Sequence, residues 1–204
     1  MYRKALLLLG LVAVVVVGPV SALEKPKVTV IGDSVADKIR PNPVFLAELG
    51  DGLRLNLQTR GCRATVTPSC TVPGYAGPPP TVLEVVNRFG KWLGKVVVVE
   101  TGYNDTPSEY RDDLDTVMTA LQGWRIKTVV WLTLHDPRPA YQGMNAIIRA
   151  APRRWPQMVI ADWGGYAAGH ADWFAADGVH PTPLGAANLA VFIHSALVRV
   201  LLAH

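Results

Sequence analysis

The run of four valines in residues 95–100 (KVVVVE) constrains the fold of this chain more than any other segment. The run is too short for a helix and is apolar at every interior position, so the strand that it forms needs cover on both faces. Strands of this kind are typical of parallel sheets with helices packed on each side. The sequence therefore predicts an α/β domain.

Strands and helices alternate along the rest of the chain. The other predicted strands cover residues 27–31, 53–58, 128–134 and 157–161. The predicted helices cover residues 44–49, 81–89, 107–122, 141–151 and 183–202. Because parallel strands are joined by right-handed helical crossovers, this order predicts a three-layer α/β/α, flavodoxin-like domain with a central, mostly parallel five-stranded sheet. The order of the strands in that sheet does not follow from the sequence.

The first 22 residues have the pattern of a secretory signal. Arg3 and Lys4 precede an apolar stretch, and small residues lead to a cleavage point after Ala22. The stretch is shorter than the roughly 20 apolar residues of a spanning helix, although an uncleaved membrane anchor is the alternative. We expect a signal peptide at 1–22 and one domain at 23–204, secreted or held at the cell envelope, and membrane-bound only if the signal stays uncleaved.

The charge balance argues against a nucleic-acid partner. The formal net charge is +4, but beyond residue 22 the chain carries 18 Lys and Arg against 16 Asp and Glu. No Lys/Arg-rich run is present to bind phosphates. Half of the residues are hydrophobic, which is enough for a substantial core. The composition therefore indicates an ordinary globular domain, which we expect to be a monomer.

Polar side chains follow the first, third and last predicted strands, and ligands bind beyond the carboxyl ends of the strands in open α/β sheets. Ser34 follows the first strand, Asn104 the third, and Asp177 and His180 the last. A serine hydroxyl needs a base such as histidine to become nucleophilic, and a carboxylate orients that histidine. An amide is a preorganised donor for the oxyanion that forms on an attacked carbonyl. The set predicts acyl transfer through an activated serine.

Three segments resemble conserved blocks of one enzyme family. IGDSV, TGYND and DGVHPT are similar, in this order, to the first, third and fifth blocks of the SGNH (GDSL-type) hydrolases. The resemblance implies the SGNH-hydrolase fold, with Ser34 as nucleophile, His180 as base and Asp177 orienting it. It also implies an oxyanion hole that includes the Ser34 N–H and the Asn104 amide. Neither a metal nor an organic cofactor is implied.

The family's oxyanion hole has a third donor, the N–H of a glycine after the second strand. Gly61 fits this place, and Gly74 is the alternative. Cys62 and Cys70 are the only cysteines of the chain, and in an oxidising compartment we expect them to pair. Such a bridge could hold the loop next to Gly61, and no second pair exists for a Cys-based metal site.

Some of these residues have simpler interpretations. The Asp-Ser pair of the first block could cap a helix. Asp172 could replace Asp177 as the orienting carboxylate, although its spacing to the histidine fits the family less well. His135 and Asp136 also follow a strand and could line a pocket, but a loop turn is the favoured interpretation.

Aromatic residues recur at intervals of three and four at Trp163, Tyr166, His170 and Trp173. On one helix they would share a face. Packing onto the sheet is the favoured interpretation, and an aromatic wall that binds a sugar ring or acyl group through Trp163, Tyr166 and Trp173 is the alternative. Segments similar to this stretch occur in SGNH modules that move acetyl groups on cell-envelope glycans.

Together, these features predict a serine esterase that hydrolyses short-chain acyl esters, chiefly acetyl, through an acyl-serine intermediate. The expected substrate is a small acyl ester or an O-acylated glycan, on an extracellular or cell-wall carbohydrate. An O-acetyltransferase with a sugar hydroxyl as acceptor would use the same residues. A non-catalytic module that binds envelope glycans is the interpretation from a different class.

Overall fold

A computed structural model describes residues 24–135 and 138–203, so the signal predicted at 1–22 lies outside the described residues. Five strands form one sheet in the order β2-β1-β3-β4-β5, and every pairing is parallel. The strands are β1 (Lys27–Gly32), β2 (Arg54–Thr59), β3 (Val96–Glu100), β4 (Thr128–Leu132) and β5 (Met158–Ala161). The α/β prediction with a five-stranded central sheet is confirmed.

Helices cover both faces of the sheet and complete three layers. They are α1 (Pro43–Leu49), α2 (Val82–Phe89), α3 (Tyr110–Gly123), α4 (Pro139–Ala150), α5 (Trp163–Tyr166) and α6 (Pro183–Leu202). Short 3-10 helices lie at Ala36–Ile39, Gly90–Leu93, Ala151–Arg153 and Ala171–Trp173. The apolar residues of α2, α3 and α4 form the core on one face, and those of α5 and α6 form the core on the other.

The valine run of β3 serves both cores. Val97 and Val99 pack beneath α2 and α3, whereas Val96 and Val98 pack on the side of α6. Successive side chains of a strand point to opposite faces, so a strand between two helical layers needs an apolar residue at every position. This is the physical reason for four valines in a row.

The strand order reverses next to β1, and this reversal positions the site. From β1 the chain moves outward to β2 and then returns to β3 on the other side of β1. Gly32 and Glu100 are paired at the carboxyl ends of these two neighbouring strands. A crevice opens where the connections diverge in this way, and ligands bind there in α/β folds.

The aromatic segment before α6 does not form the single helix that its spacing suggested. The α5 helix ends at Tyr166, and a separate 3-10 helix begins at Ala171. Residues ten apart on one helix would lie about 15 Å apart. The rings of Trp163 and Trp173 instead stack with centroids 5.9 Å apart, because the chain turns back between them.

Candidate active site

The loop that carries Ser34 is held by backbone groups at the end of β1. The Asp33 N–H donates to the Glu100 carbonyl at 3.0 Å, and the Ala36 N–H donates to the Glu100 carboxyl at 3.1 Å. A Cβ on Gly32 would lie 2.5 Å from the Ala36 Cβ, so this turn requires glycine at position 32. The serine is therefore presented by a tightly fixed loop just beyond the sheet.

A second fixed loop, between the Ala171–Trp173 helix and α6, carries Asp177 and His180. The Ala175 N–H donates to the His180 carbonyl at 2.8 Å and closes this loop. Gly178 inside the loop has φ 70°, a left-handed conformation that favours glycine. Val179 is buried and anchors the loop in the core. In a loop closed in this way, the carboxyl of a residue three positions before His180 reaches the His180 ring.

Ser34, His180 and Asp177 form a continuous chain of hydrogen bonds. The Ser34 Oγ lies 3.0 Å from His180 Nε2, and His180 Nδ1 lies 2.7 Å from Asp177 Oδ2. The other carboxyl oxygen of Asp177 accepts the N–H groups of Val179 and His180 at 2.9 and 3.0 Å. The arrangement brings together the three residues that the sequence pattern predicts to act together.

The electrostatics of this chain define the proton positions. The hydrogen bond from the His180 ring, helped by the two backbone N–H groups, lowers the pKa of the Asp177 carboxyl below its usual range. The ionised carboxylate can only accept, so His180 Nδ1 carries the proton. In the neutral imidazole the lone pair then lies on Nε2 and faces the Ser34 hydroxyl, which is the tautomer needed to take the serine proton. Asp172 does not take this place, because Nδ1 is bonded to Asp177.

Asn104 lies on the same rim and lines the same cleft as Ser34. Its Nδ2 donates to the Arg63 carbonyl at 3.1 Å and approaches Asp33 Oδ2 at 3.5 Å. Next to it, Asp105 accepts the N–H and hydroxyl of Thr65 at 2.7 and 3.0 Å. The amide is therefore held in a defined orientation beside the serine.

Of the two glycines considered for the oxyanion hole, only Gly61 is placed beside the serine. It lines the Ser34 cleft, and a Cβ built on it would lie 4.0 Å from the Ser34 Cβ. Gly74 has open space around it and is not among the described residues that line this cleft. Cys62 and Cys70 are joined in a disulfide with Cα atoms 5.3 Å apart, which confirms the predicted pairing next to Gly61.

The cleft above Ser34 has a volume of about 490 Å³ and a largely apolar and aromatic wall. Its lining includes Val72 and Pro73 and the rings of Tyr103 and Tyr141, which meet edge to face at 5.2 Å. The Tyr103 hydroxyl accepts the His135 N–H at 2.6 Å and donates to the His135 carbonyl at 3.1 Å. The wall is therefore rigid on the tyrosine side.

Sequence reasoning missed a buried carboxyl pair directly beneath the serine loop. Asp33 and Glu100 are almost fully inaccessible to solvent, and their side chains are hydrogen-bonded to each other. Burial raises the pKa of Asp33 to about 7, and burial together with the Asp33 charge raises that of Glu100 well above its usual value. An acidic residue at the end of an otherwise apolar central strand was the available signal.

The other aromatic and histidine candidates lie away from the serine. Trp163 and Trp173 are buried in the core, where they contact α6 residues, and Tyr166 is half-exposed on top of them. None of the three is among the described residues of the Ser34 cleft. Trp163 and Trp173 therefore pack in the core, and a role of the three residues in binding a sugar ring or acyl group stays a prediction. His135 stacks on Phe174 at 3.8 Å, and Asp136 lies outside the described residues.

Comparison with known proteins gives a consistent result at the level of the fold. No protein-family model and no curated protein match the sequence. Among solved structures, the chain is similar to the psychrotrophic esterase EstA from Pseudoalteromonas sp., with TM-score 0.65 and 12% identity over 88% of this chain and 100% of that one.

Carbohydrate esterases also share this architecture. A carbohydrate esterase family 2 enzyme with a carbohydrate binding domain from Corynascus thermopiles (Myceliophthora fergusii) has TM-score 0.64 and 14% identity over 90% of this chain and 69% of that one. A carbohydrate esterase family 3 structure from Talaromyces cellulolyticus has TM-score 0.58 and 16% identity over 88% and 99%. These neighbours are SGNH-type esterases, and the chain has the SGNH-hydrolase fold that its sequence resemblance implied.

Proposed function

We propose that this protein is an exported serine esterase that removes short acyl groups, chiefly acetyl, from O-acylated carbohydrate. The observation that carries the proposal is the hydrogen-bonded chain from Ser34 through His180 to Asp177, with distances of 3.0 and 2.7 Å, at the reversal point of the sheet. The esterases of similar fold, among them carbohydrate esterases of families 2 and 3, support the class of substrate.

In the first step, Ser34 Oγ attacks the ester carbonyl carbon while its proton passes to His180 Nε2. Asp177 stabilises the imidazolium that forms. The carbonyl oxygen becomes an oxyanion that accepts the N–H groups of Ser34 and Gly61 and the Asn104 amide. The C–O bond to the alcohol then breaks, the leaving oxygen takes the proton from Nε2, and an acyl-serine remains.

In the second step, water attacks the acyl-serine and gives its proton to His180, and the carboxylic acid leaves as Ser34 recovers its proton. A sugar hydroxyl in place of water would give acyl transfer by the same route. The two reactions differ only in the acceptor, so their ratio is measured by the fraction of released acyl groups that appears on an added oligosaccharide.

The size of the cleft favours a small acyl group. Its volume of about 490 Å³ has to hold both the acyl group and part of the alcohol. Val72 and Pro73 are tied to the serine loop region through the Cys62–Cys70 bridge, and the Tyr103 hydroxyl is bonded to the opposite loop. Walls held in this way resist widening, which favours a short acyl group over a long chain.

The test is hydrolysis of p-nitrophenyl acetate and butyrate near pH 8, with Ser34→Ala and His180→Ala beside the parent protein. We expect both changes to lower kcat at least about a thousandfold, because the residues act as one unit. Asn104→Ala should lower kcat about 10²–10³-fold through loss of one oxyanion donor. Ser108→Ala, at an exposed serine, is the matched control and should keep full activity.

Labelling of Ser34 by a fluorophosphonate, located by mass spectrometry, provides an independent readout. Hydrolysis and labelling that persist in Ser34→Ala would contradict the assignment of the nucleophile. If the folded parent protein neither hydrolyses the esters nor reacts with the probe, the enzyme proposal fails and a glycan-binding module becomes the better interpretation.

Export and assembly state belong to the same proposal. The Cys62–Cys70 disulfide is typical of an oxidising compartment. N-terminal sequencing of the protein from the culture medium and from the envelope should find Leu23 as the first residue. An intact Met1 in the membrane fraction would show a tethered form instead. Light scattering is expected to give the mass of a monomer.

A further inference from the structure

A second cavity, of about 550 Å³, adjoins the cleft of Ser34 on the side of the edge strand β2. One wall is the end of β2 with the loop that follows it, and the other is the proline-rich segment 72–80. We call this cavity the arginine groove, because the side chains of Arg40, Arg60 and Arg63 line it. None of the described residues in its lining is acidic.

Only one of the three arginines has a carboxylate partner among the described residues. Arg40 Nε donates to Asp37 Oδ1 at 2.9 Å, and its other donors bind carbonyls of β2. The ion pair neutralises Arg40. Arg60 and Arg63 therefore leave the arginine groove with an excess of positive charge.

Arg63 is a buried cation that is held only by carbonyl oxygens among the described residues. Its Nε donates to the Gly32 carbonyl at 3.1 Å, and its Nη1 donates to the Pro80 carbonyl. Burial lowers the pKa of the Arg63 guanidinium to about 10, against the attraction of the more distant Asp37 carboxylate, and the group stays charged at neutral pH. A buried cation that no described carboxylate contacts directly is costly, so a bound anion would stabilise this region.

Arg60 is oriented for a ligand. Its guanidinium lies over the ring of Tyr75, with 3.9 Å between the guanidinium carbon and the ring centroid. Stacking uses the face of the guanidinium and leaves its in-plane N–H donors to form a paired contact with a carboxylate or phosphate. Tyr75 is half-exposed, and its ring also offers a surface on which a sugar can pack.

The arginine groove and the Ser34 cleft are neighbours that share one lining residue. Val72 lines both, and Gly61, directly after Arg60, borders the serine. The Cys62–Cys70 disulfide links the loop after β2 to the chain just before the proline-rich segment 72–80. A polymer that crosses Val72 would place one unit at the serine and a neighbouring unit against the arginines.

We propose that the arginine groove binds an anionic sugar unit, a uronate or a sugar phosphate, so that the preferred substrates are O-acylated acidic glycans. The proposal rests on the esterase function proposed above. Arg60 donates hydrogen bonds to the anion through its in-plane N–H groups. The positive charge of the buried Arg63 attracts the same anion from a greater distance. The ester group on the adjacent sugar unit lies at Ser34.

The experiment compares kcat/KM for acetate release from acetylated polygalacturonate, from an acetylated phosphate-bearing glycan and from acetylated neutral xylan. We expect at least one acidic polymer to be preferred over xylan, and the better one identifies the anion. Arg60→Gln should lower the ratio of acidic to neutral kcat/KM about tenfold, as for loss of one charged hydrogen-bonded contact. Arg88→Gln, at an exposed arginine on α2, is the matched control and should leave the ratio unchanged.

Two further measurements separate the proposal from the esterase function. The acidic preference should shrink as NaCl rises from 0.02 to about 0.5 M, because salt screens the contact. Unacetylated oligogalacturonate or a phosphorylated oligosaccharide should bind to Ser34→Ala in calorimetry, and more weakly when Arg60→Gln is added. Equal rates on all three polymers, with normal hydrolysis of p-nitrophenyl acetate, would overturn the groove proposal alone. Anion binding without any ester hydrolysis would overturn the esterase function alone.

Discussion

Replacement of Asp33 by asparagine tests the energetic consequence of the buried carboxyl pair. Asp33 is fully buried, and its carboxyl accepts the Val35 N–H at 2.9 Å and is bonded to the Glu100 side chain. An asparagine oxygen can still accept the Val35 N–H, and the amide cannot ionise. The substitution therefore removes the charge and keeps the Val35 contact, while its NH2 group replaces the oxygen that the Asn104 amide approaches at 3.5 Å.

The magnitude follows from the raised pKa. In the unfolded chain this carboxyl titrates at its ordinary value of 3.8, whereas burial raises the pKa of Asp33 to about 7 in the folded protein. Between these values the folded state holds a proton that the unfolded state has lost, so stability falls as pH rises. At about 1.36 kcal/mol per pH unit over roughly three units, the loss from this group is about 4 kcal/mol between pH 4 and pH 8.

The assay is urea unfolding of the parent protein and of Asp33→Asn at half-unit steps from pH 4 to pH 8. We expect the free energy of unfolding of the variant, relative to that of the parent protein, to rise by up to about 4 kcal/mol from pH 4 to pH 8. Asp51→Asn, at an exposed carboxyl, is the control and should follow the parent curve. Parallel curves for the parent and Asp33→Asn across the whole range would refute the reasoning.

Two further predictions concern packing and the disulfide. Gly185→Ala should destabilise the protein by about 1–3 kcal/mol in chemical unfolding, because the new Cβ would lie 1.9 Å from the Trp173 carbonyl oxygen. Gly143→Ala, on an exposed helix face with open space, is the control and should stabilise the protein by up to about 1 kcal/mol. A Gly185→Ala variant as stable as the parent protein would contradict the close packing. Cys62→Ser with Cys70→Ser should cost about 2.5 kcal/mol from the short closed loop, and unchanged stability in that pair of changes would show that the bridge adds nothing to folding.

The local pattern of hydrophobic residues was sufficient to predict the three-layer arrangement of the fold. The valines of β3 had to be covered on both sides, and the alternation with helices left a parallel sheet as the consistent solution. The polar residues after the first, third and last strands could be placed on one rim for the same reason. The fold prediction is confirmed. It was possible from the sequence because the spacing of hydrophobic residues and the positions of strand ends are local properties of the chain.

Choices between equivalent local candidates needed the tertiary structure. Asp177 and Asp172 are both acidic residues upstream of His180, and only the closed loop shows which carboxylate reaches the ring. Gly61 and Gly74 both follow β2, and only the path of the chain decides that Gly61 borders the serine. Spacing along the sequence does not contain this information, because a loop can fold back in many ways.

The sequence could not reveal which charged side chains lie next to each other in the folded protein. Glu100 meets Asp33 because β3 lies beside β1, and strand order is a property of the whole sheet. Arg60 and Arg63 flank Gly61 in a segment without a distinctive pattern, and they become a cationic cavity only when the proline-rich segment 72–80 closes over β2. The interaction between two charged groups depends on their distance in space and not on their separation along the chain. The sequence therefore determined the layers of the fold and the residue types at the carboxyl ends of the strands. The tertiary structure decided which charged side chains lie next to each other.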